Sequence, residues 1–149
     1  MTQSSQTNRQ TESPAPEHTI QIRVQYHQTD AQGRVHHAEY LNYFEQARVE
    51  LLRSLGHSYR ELESTGYRLV VTRMEVDYFQ PAEFDDVLSL RCIAEYSRGA
   101  RVIHRYELSQ LETGVAVVAG RSVIACIGAD NRACRLPDYM QISKRGSQA

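Results

Sequence analysis

The amino-acid sequence predicts an α+β fold in which one long helix packs against a five-stranded, mainly antiparallel sheet. Three features carry that expectation. Between Ala38 and Leu55 apolar residues recur at three- and four-residue intervals, the mark of one helix face. An alternating apolar segment precedes that helix, and from Leu69 onward every segment has strand character with Gly and Pro between.

Residues 1–18 are a polar stretch of Ser, Thr, Gln and Pro with almost nothing to bury. Ordering it would cost entropy without return, so a disordered tail is expected there. In the first strand Ile20, Ile22, Val24 and Tyr26 alternate with Gln21, Arg23 and Gln25. The domain is expected over residues 19–140, with a short C-terminal tail at 141–149 that holds Lys144 and Arg145.

After a polar loop from Thr29 to His37, the residues Tyr40, Leu41, Phe44, Ala47, Leu51, Leu52 and Leu55 define the helix, and Gly56 supplies its stop. At 1.5 Å per residue this helix is about 27 Å long, enough to cross a small sheet. A second, short helix is expected from Tyr59 to Ser64, ending at Gly66. The remaining strands are Leu69 to Phe79, Val87 to Tyr96, Val102 to Leu111 and Val115 to Ile127. The last is apolar on both faces, as a central strand covered on both sides must be. Short turns at Ser97–Ala100 and Glu112–Gly114 join neighbours, so the last three strands form an antiparallel meander.

At 149 residues the chain fits one domain with one core, and no internal repeat is visible. Lys and Arg number 17 against 18 Asp and Glu, giving a formal charge of -1. No strong field therefore favours nucleic acid or anionic lipid, and an anionic ligand has to be met by a local patch. The cysteines are Cys92, Cys126 and Cys134, an odd number without a C-x-x-C pair, which fits reduced thiols in a cytoplasmic compartment. No apolar run approaches the ~20 residues that cross a bilayer, and no signal core is seen, so membrane insertion and export are not expected.

The segment TDAQGRVHHAEYLNYFEQAR carries the chemistry. Asp30 lies where the first strand has ended, Gly33 permits a tight turn, and the long helix begins about seven residues on, so a carboxylate is brought toward a helix N-terminus. Positions 36 to 38 offer no Ser, Thr, Asp or Asn cap, which leaves early amides available to a developing oxyanion. Such a site suits acyl transfer, with Asp30 attacking a carbonyl or activating water while amides near His37 and Ala38 receive the negative oxygen. From spacing alone the preferred reading of these residues is structural, a loop Asp making an Asx turn and a helix capped by water.

Two separated motifs resemble the 4-hydroxybenzoyl-CoA thioesterase family of hot-dog proteins, in particular its YbgC-like acyl-CoA thioesterases. The first comprises Thr29-Asp30, Gly33, Val35, His37, Tyr40 and Glu45 through Arg48; the second comprises Tyr78, Pro81-Ala82, Asp85-Asp86 and Leu88. The resemblance spans about residues 20 to 138. It implies a helix wrapped by a curved sheet, a homodimer or homotetramer, acyl-CoA as substrate at the subunit interface, and no metal or prosthetic group. It puts Asp30 in the catalytic aspartate position, as nucleophile or general base. His37 takes the position whose backbone N–H polarises the thioester carbonyl and whose side chain also belongs to the site. Gly33 and the Arg98-Gly99-Ala100 turn are the expected substrate-binding residues, the turn for the phosphates of CoA. His27, Gln28, His36 and Ala100 depart from the residues common in related sequences.

Other features are read structurally. Glu45 is a possible second acid, but its spacing from Arg48 suits an i,i+3 ion pair, which is the preferred reading. Tyr26 continues the strand alternation, and Cys92 and Cys126 are core thiols. His27, His36 and His37 lie on a tight loop from which ligands rarely converge, so no metal site is expected. His57 and His104 are surface or satisfied core histidines. A non-catalytic acyl-CoA-binding module is the alternative function, disfavoured because a pure binder has little reason to keep Asp30 beside an anionic ligand. A dehydratase is disfavoured by the absence of its Asp and His pair.

Overall fold

The computed structural model describes residues 14–143. Residues 1–13 and 144–149, which hold most of the two expected tails, lie outside the described residues. The elements are β1 (Glu17–Arg23), α1 (Glu39–Ser54), α2 (Tyr59–Ser64), β2 (Arg68–Tyr78), β3 (Val87–Arg98), β4 (Arg101–Gln110) and β5 (Ala116–Ile127). The sheet order is β1-β3-β4-β5-β2, and every neighbouring pair is antiparallel. β5 is thus an inner strand, as its two apolar faces predict, and β3-β4-β5 is the expected meander.

The core lies between α1 and the concave face of the sheet. Leu90 pairs with Leu108 and Cys92 with Tyr106 across β3 and β4, while Tyr106 pairs with Gly120 of β5. Phe44 of α1 stacks on Tyr106 with ring centroids 4.3 Å apart and planes 14° from parallel. This close approach requires Gly120, since a Cβ there would lie 2.5 Å from Phe44 Cε2. The helix sits deep against the sheet because one strand position has no side chain.

Arg48 corrects the sequence reading. It lies on the same helix face as Phe44, Ala47, Leu51 and Leu52 and is buried with them, so it does not pair with Glu45, which is exposed. Its Nη1 donates to Tyr106 Oη at 3.0 Å, and Tyr106 Oη is 2.6 Å from Ser122 Oγ. His104 is likewise a core residue, and its Nδ1 is buried without a partner among the described residues, so it is not the satisfied or surface histidine expected.

The ends of the domain also differ. β1 begins at Glu17, inside the expected tail, because Glu17 pairs with Ile93 and its carboxylate meets Arg91. β1 ends at Arg23, and Tyr26 does not continue its alternation: Val24 is buried, whereas Tyr26 is 77 % exposed and edge-on to Phe84. Beyond β5 a strap runs back over the β3–β4 turn. Leu136 N–H donates to Gly99 O, Ser97 N–H to Ile142 O, and Ile142 N–H to Ser97 Oγ. Ile142, expected in the C-terminal tail, is therefore bonded to the body, and Gln141 is bonded within the strap to Leu136 and Asp138. The convex sheet face interleaves Arg91, Arg105 and Arg121 with Glu17, Glu95 and Glu107 in an ion-pair network. Such exposed pairs contribute little stability but satisfy a solvated face.

Candidate active site

The loop from Thr29 to Ala38 is a small hairpin followed by the entry to α1. Thr29 bridges Val35, Asp30 N–H donates to Arg34 O at 2.8 Å, and Gly33 N–H donates to Asp30 O at 3.0 Å. Gly33 has φ +76°, the left-handed conformation that closes a turn of this kind with a bulge and that side chains resist. Asp30 opens the turn, and its Oδ1 accepts the Gln32 N–H at 2.8 Å, an Asx turn that fixes the carboxylate's direction. The structural reading of Asp30 is therefore correct as far as it goes. Oδ2 has no hydrogen bond from any described residue, and Asp30 remains partly exposed.

The chain then enters α1 under three constraints. Val35 N–H donates to Ala82 O at 2.8 Å, His36 N–H to Gln28 O at 2.9 Å, and Tyr78 Oη donates to His37 O at 3.0 Å. The first helical turn has no side-chain cap at Ala38, as expected. Its amides are not all available, however. Ala38 N–H donates to His36 Nδ1 at 3.1 Å, so this amide is not an open oxyanion donor. His37 N–H has no acceptor among the described residues. The expected pair of amides is thus reduced to one. The cause is His36, whose ring nitrogen replaces the missing cap and whose ring stacks on His37 at 4.2 Å.

Asp30 and His37 line one open cleft of about 360 Å³, walled by Tyr40, Tyr78 and Phe79. Burial raises the Tyr40 phenol above its ordinary pKa, a backbone hydrogen bond with Ala82 offsets part of this, and the Tyr78 and Asp30 charges add smaller increments. Tyr40 is therefore neutral at physiological pH. Its ring meets Tyr78 edge-on at 5.7 Å, which braces the side chain that holds the His37 carbonyl. Tyr78 was visible in the sequence only as part of a family motif. Its role comes from a contact across 41 positions, which local spacing does not reveal.

The structure does not bring the Arg98-Gly99-Ala100 turn to this cleft. β3 starts near the Asp30 end, with Asp86 O bonded to Val24 N, and runs twelve residues away to Arg98. At ~3.3 Å per residue the turn lies roughly 35 Å off along the strand. It is a two-residue hairpin with Gly99 at φ +62° in the first central position. Gly99 O and Ala100 O already accept Leu136 N–H and Cys126 N–H, while Arg98 is exposed and outside the observed ion pairs. A larger depression of about 600 Å³ lies on the convex face among Arg91, Arg105 and Arg121. Those arginines are paired with glutamates, Glu17 and Glu95 among them, which leaves those carboxylates committed to ion pairs. The smaller cleft, with the open Asp30 Oδ2, is therefore the chemical candidate.

The sequence profile described as the thioesterase-like superfamily matches residues 24–142. An acyl-CoA thioester hydrolase, YbgC, of Escherichia coli is 35% identical over 91 residues, covering 61% of this chain and 68% of the relative. A DHNA-CoA thioesterase from Staphylococcus aureus superposes with a TM-score of 0.77 at 27% identity, covering 80% of each chain. A 1,4-dihydroxy-2-naphthoyl-CoA thioesterase from Synechocystis gives a TM-score of 0.78 at 24% identity over 83% of this chain and 91% of that one, a likeness of fold.

Proposed function

This chain belongs to the thioesterase-like superfamily, and from that premise we propose that it hydrolyses a small or medium acyl-CoA to the free acid and CoA, with Asp30 as the catalytic carboxylate. One observation carries the assignment: a carboxylate oriented through Oδ1 and free at Oδ2 shares a cleft with the uncommitted His37 amide. The thioester carbonyl oxygen accepts from His37 N–H, which stabilises the charge that develops as the carbon becomes tetrahedral. Asp30 either takes a proton from the attacking water or attacks the carbon itself to give a mixed anhydride that water then cleaves. In both routes the C–S bond breaks and a proton reaches the departing thiolate; water's oxygen ends in the acid, or on Asp30 where water opens the anhydride at the Asp30 carboxyl carbon. Coenzyme A is part of the substrate, and the reaction as proposed uses no metal or prosthetic group. Tyr40, Tyr78 and Phe79 offer flat apolar walls to the acyl group, and Gly33 serves substrate binding through the turn that presents Asp30, which its left-handed backbone closes.

The assembly we propose is a homodimer or homotetramer. β2 is a sheet edge that exposes Val70, Val71 and Tyr78, with Phe79 following, and an unpaired apolar edge is a template for another strand. In such an assembly the Arg98-Gly99-Ala100 turn of a second copy serves the phosphates of CoA bound beside Asp30, which its distance from Asp30 within one chain supports. Among the described residues no helix is long and apolar enough to cross a membrane, and the protein is proposed to act in the cytoplasm.

Thiol release from a panel of aliphatic and aromatic acyl-CoAs tests the activity. Hydrolysis of several short or medium members is expected. Tight binding of the panel without release of CoA from any member would replace the enzyme with an acyl-CoA-binding module. A single turnover in heavy-oxygen water tests the nucleophilic role of Asp30. Label on the Asp30 carboxylate identifies the nucleophile, whereas label in the product acid alone fits both the general base and an anhydride opened at the acyl carbon.

A further inference from the structure

Cys126 and Cys134 stand opposite each other where the chain folds back after β5. The bridge between Ile127 and Ala133 sets this register, and Cys134 N–H donates to Cys126 O at 3.0 Å. Their sulfurs are 3.3 Å apart, and both thiols are free. Opposed residues at hydrogen-bonded antiparallel positions have Cα atoms about 5.5 Å apart. That separation falls within the roughly 4.4–6.8 Å a disulfide spans. The two side chains already point at each other, so a covalent bond needs only a small closure of the sulfurs.

We propose that Cys126 and Cys134 form a redox-modification site, which a small-molecule disulfide oxidises to an intramolecular cystine that pins the C-terminal strap to β5. Cys134 is partly exposed and reacts first. Its thiolate attacks one sulfur of the reagent, the reagent's S–S bond breaks, and one thiolate leaves. The Cys126 sulfur then attacks Cys134 and expels the second. Each cysteine gives up a proton to a released thiolate, the two cysteines are oxidised by two electrons, and the reagent is reduced by two. Burial pushes the Cys126 thiol up to about 12, with the Cys134 contact adding to the shift, so Cys126 is not the initiating thiol, and its attack on Cys134 relies on the short sulfur separation.

The bond acts on the segment that carries Leu136 and Ile142, the residues bonded to Gly99 and Ser97 at the β3–β4 turn. This inference does not depend on the thioesterase reading.

The test exposes the folded full-length chain to oxidised glutathione, alkylates free thiols under denaturing conditions and reads the intact mass. The expected product has lost two hydrogens and takes up alkylator at one of its three cysteines, Cys92. Trypsin cuts after Arg132, so the cystine must join the peptide holding Cys126 to that holding Cys134. In Cys126→Ser the reaction is expected to stop at glutathione on Cys134, and in Cys134→Ser the loss of two hydrogens disappears. Slower amide exchange at Leu136 and Ile142 in the oxidised chain is the expected sign that the strap is pinned. Three alkylated cysteines after exposure, or glutathione persisting on Cys134 of the unaltered chain, overturns the site; unchanged exchange overturns the pinning.

Discussion

His104 is neutral in the folded chain, because burial and, to a smaller extent, the Arg48 charge together depress its imidazole to about 3. In the unfolded chain the ring titrates near its ordinary value of about 6.5. Between those values the unfolded state binds the extra proton, so stability rises with pH and is lost on acidification, by at most about 1.4 kcal/mol per pH unit. His104→Leu removes this proton and the orphaned Nδ1 together. Urea unfolding followed from pH 6 to 4 is expected to show a shallower loss for the variant, and parallel acid limbs would show that the ring is already protonated in the fold. Tyr78 acts on the site through the peptide it holds. Deleting its hydroxyl in Tyr78→Phe removes a hydrogen bond worth about 1 kcal/mol, so kcat is expected to fall roughly fivefold with KM nearly unchanged and the melting temperature lowered by only about 2–4 °C. A change in KM alone would leave Tyr78 as a wall of the acyl pocket without the positioning role.

At the scale of elements, the join between α1 and the sheet depends on Gly120. In Gly120→Ala the new methyl meets the Phe44 ring, which is itself stacked on Tyr106 and cannot swing away without opening that contact. Overpacking of this kind costs about 1–3 kcal/mol. Chemical denaturation is expected to show a loss in that range, whereas an unchanged midpoint would mean that α1 slides freely on β5. The sequence made most of these elements legible where the pattern was local. α2 has the expected bounds, and β5 is the inner strand its apolar run marks, flanked by β4 and β2, although its second face, with Arg121, is solvated and not covered. Contacts across the chain were not legible. Arg48 looks like an ion-pair partner of Glu45 until the neighbouring core positions turn it inward, and Tyr26 fits an alternation that β1 abandons after Arg23. Asp30 could be singled out because a turn and a helix start flank it. That His36 consumes the Ala38 amide could not, since a ring's rotamer is not written in spacing.

The whole molecule separates Asp30 from the Arg98 turn by most of the length of β3, so the proposed site is assembled from two copies. Arg98→Ala is expected to raise KM more than it lowers kcat, as loss of a contact far from the reacting carbonyl does. Co-expressing Asp30→Asn chains with Arg98→Ala chains distinguishes the two arrangements. If the turn acts on its partner's site, mixed assemblies regain a low-KM component, because one of their sites combines Asp30 with Arg98. If each chain serves its own site, every site that keeps Asp30 lacks the Arg98 guanidinium and KM stays high.

The central claim rests on one carboxylate, and turnover of Asp30→Asn with the best acyl-CoA of the panel tests it most directly. The substitution keeps the Asx turn but removes the charge, so the melting temperature should hold while kcat falls by ~10²–10⁴, the range for losing a catalytic acid–base group. Undiminished hydrolysis by a folded Asp30→Asn protein would contradict the account.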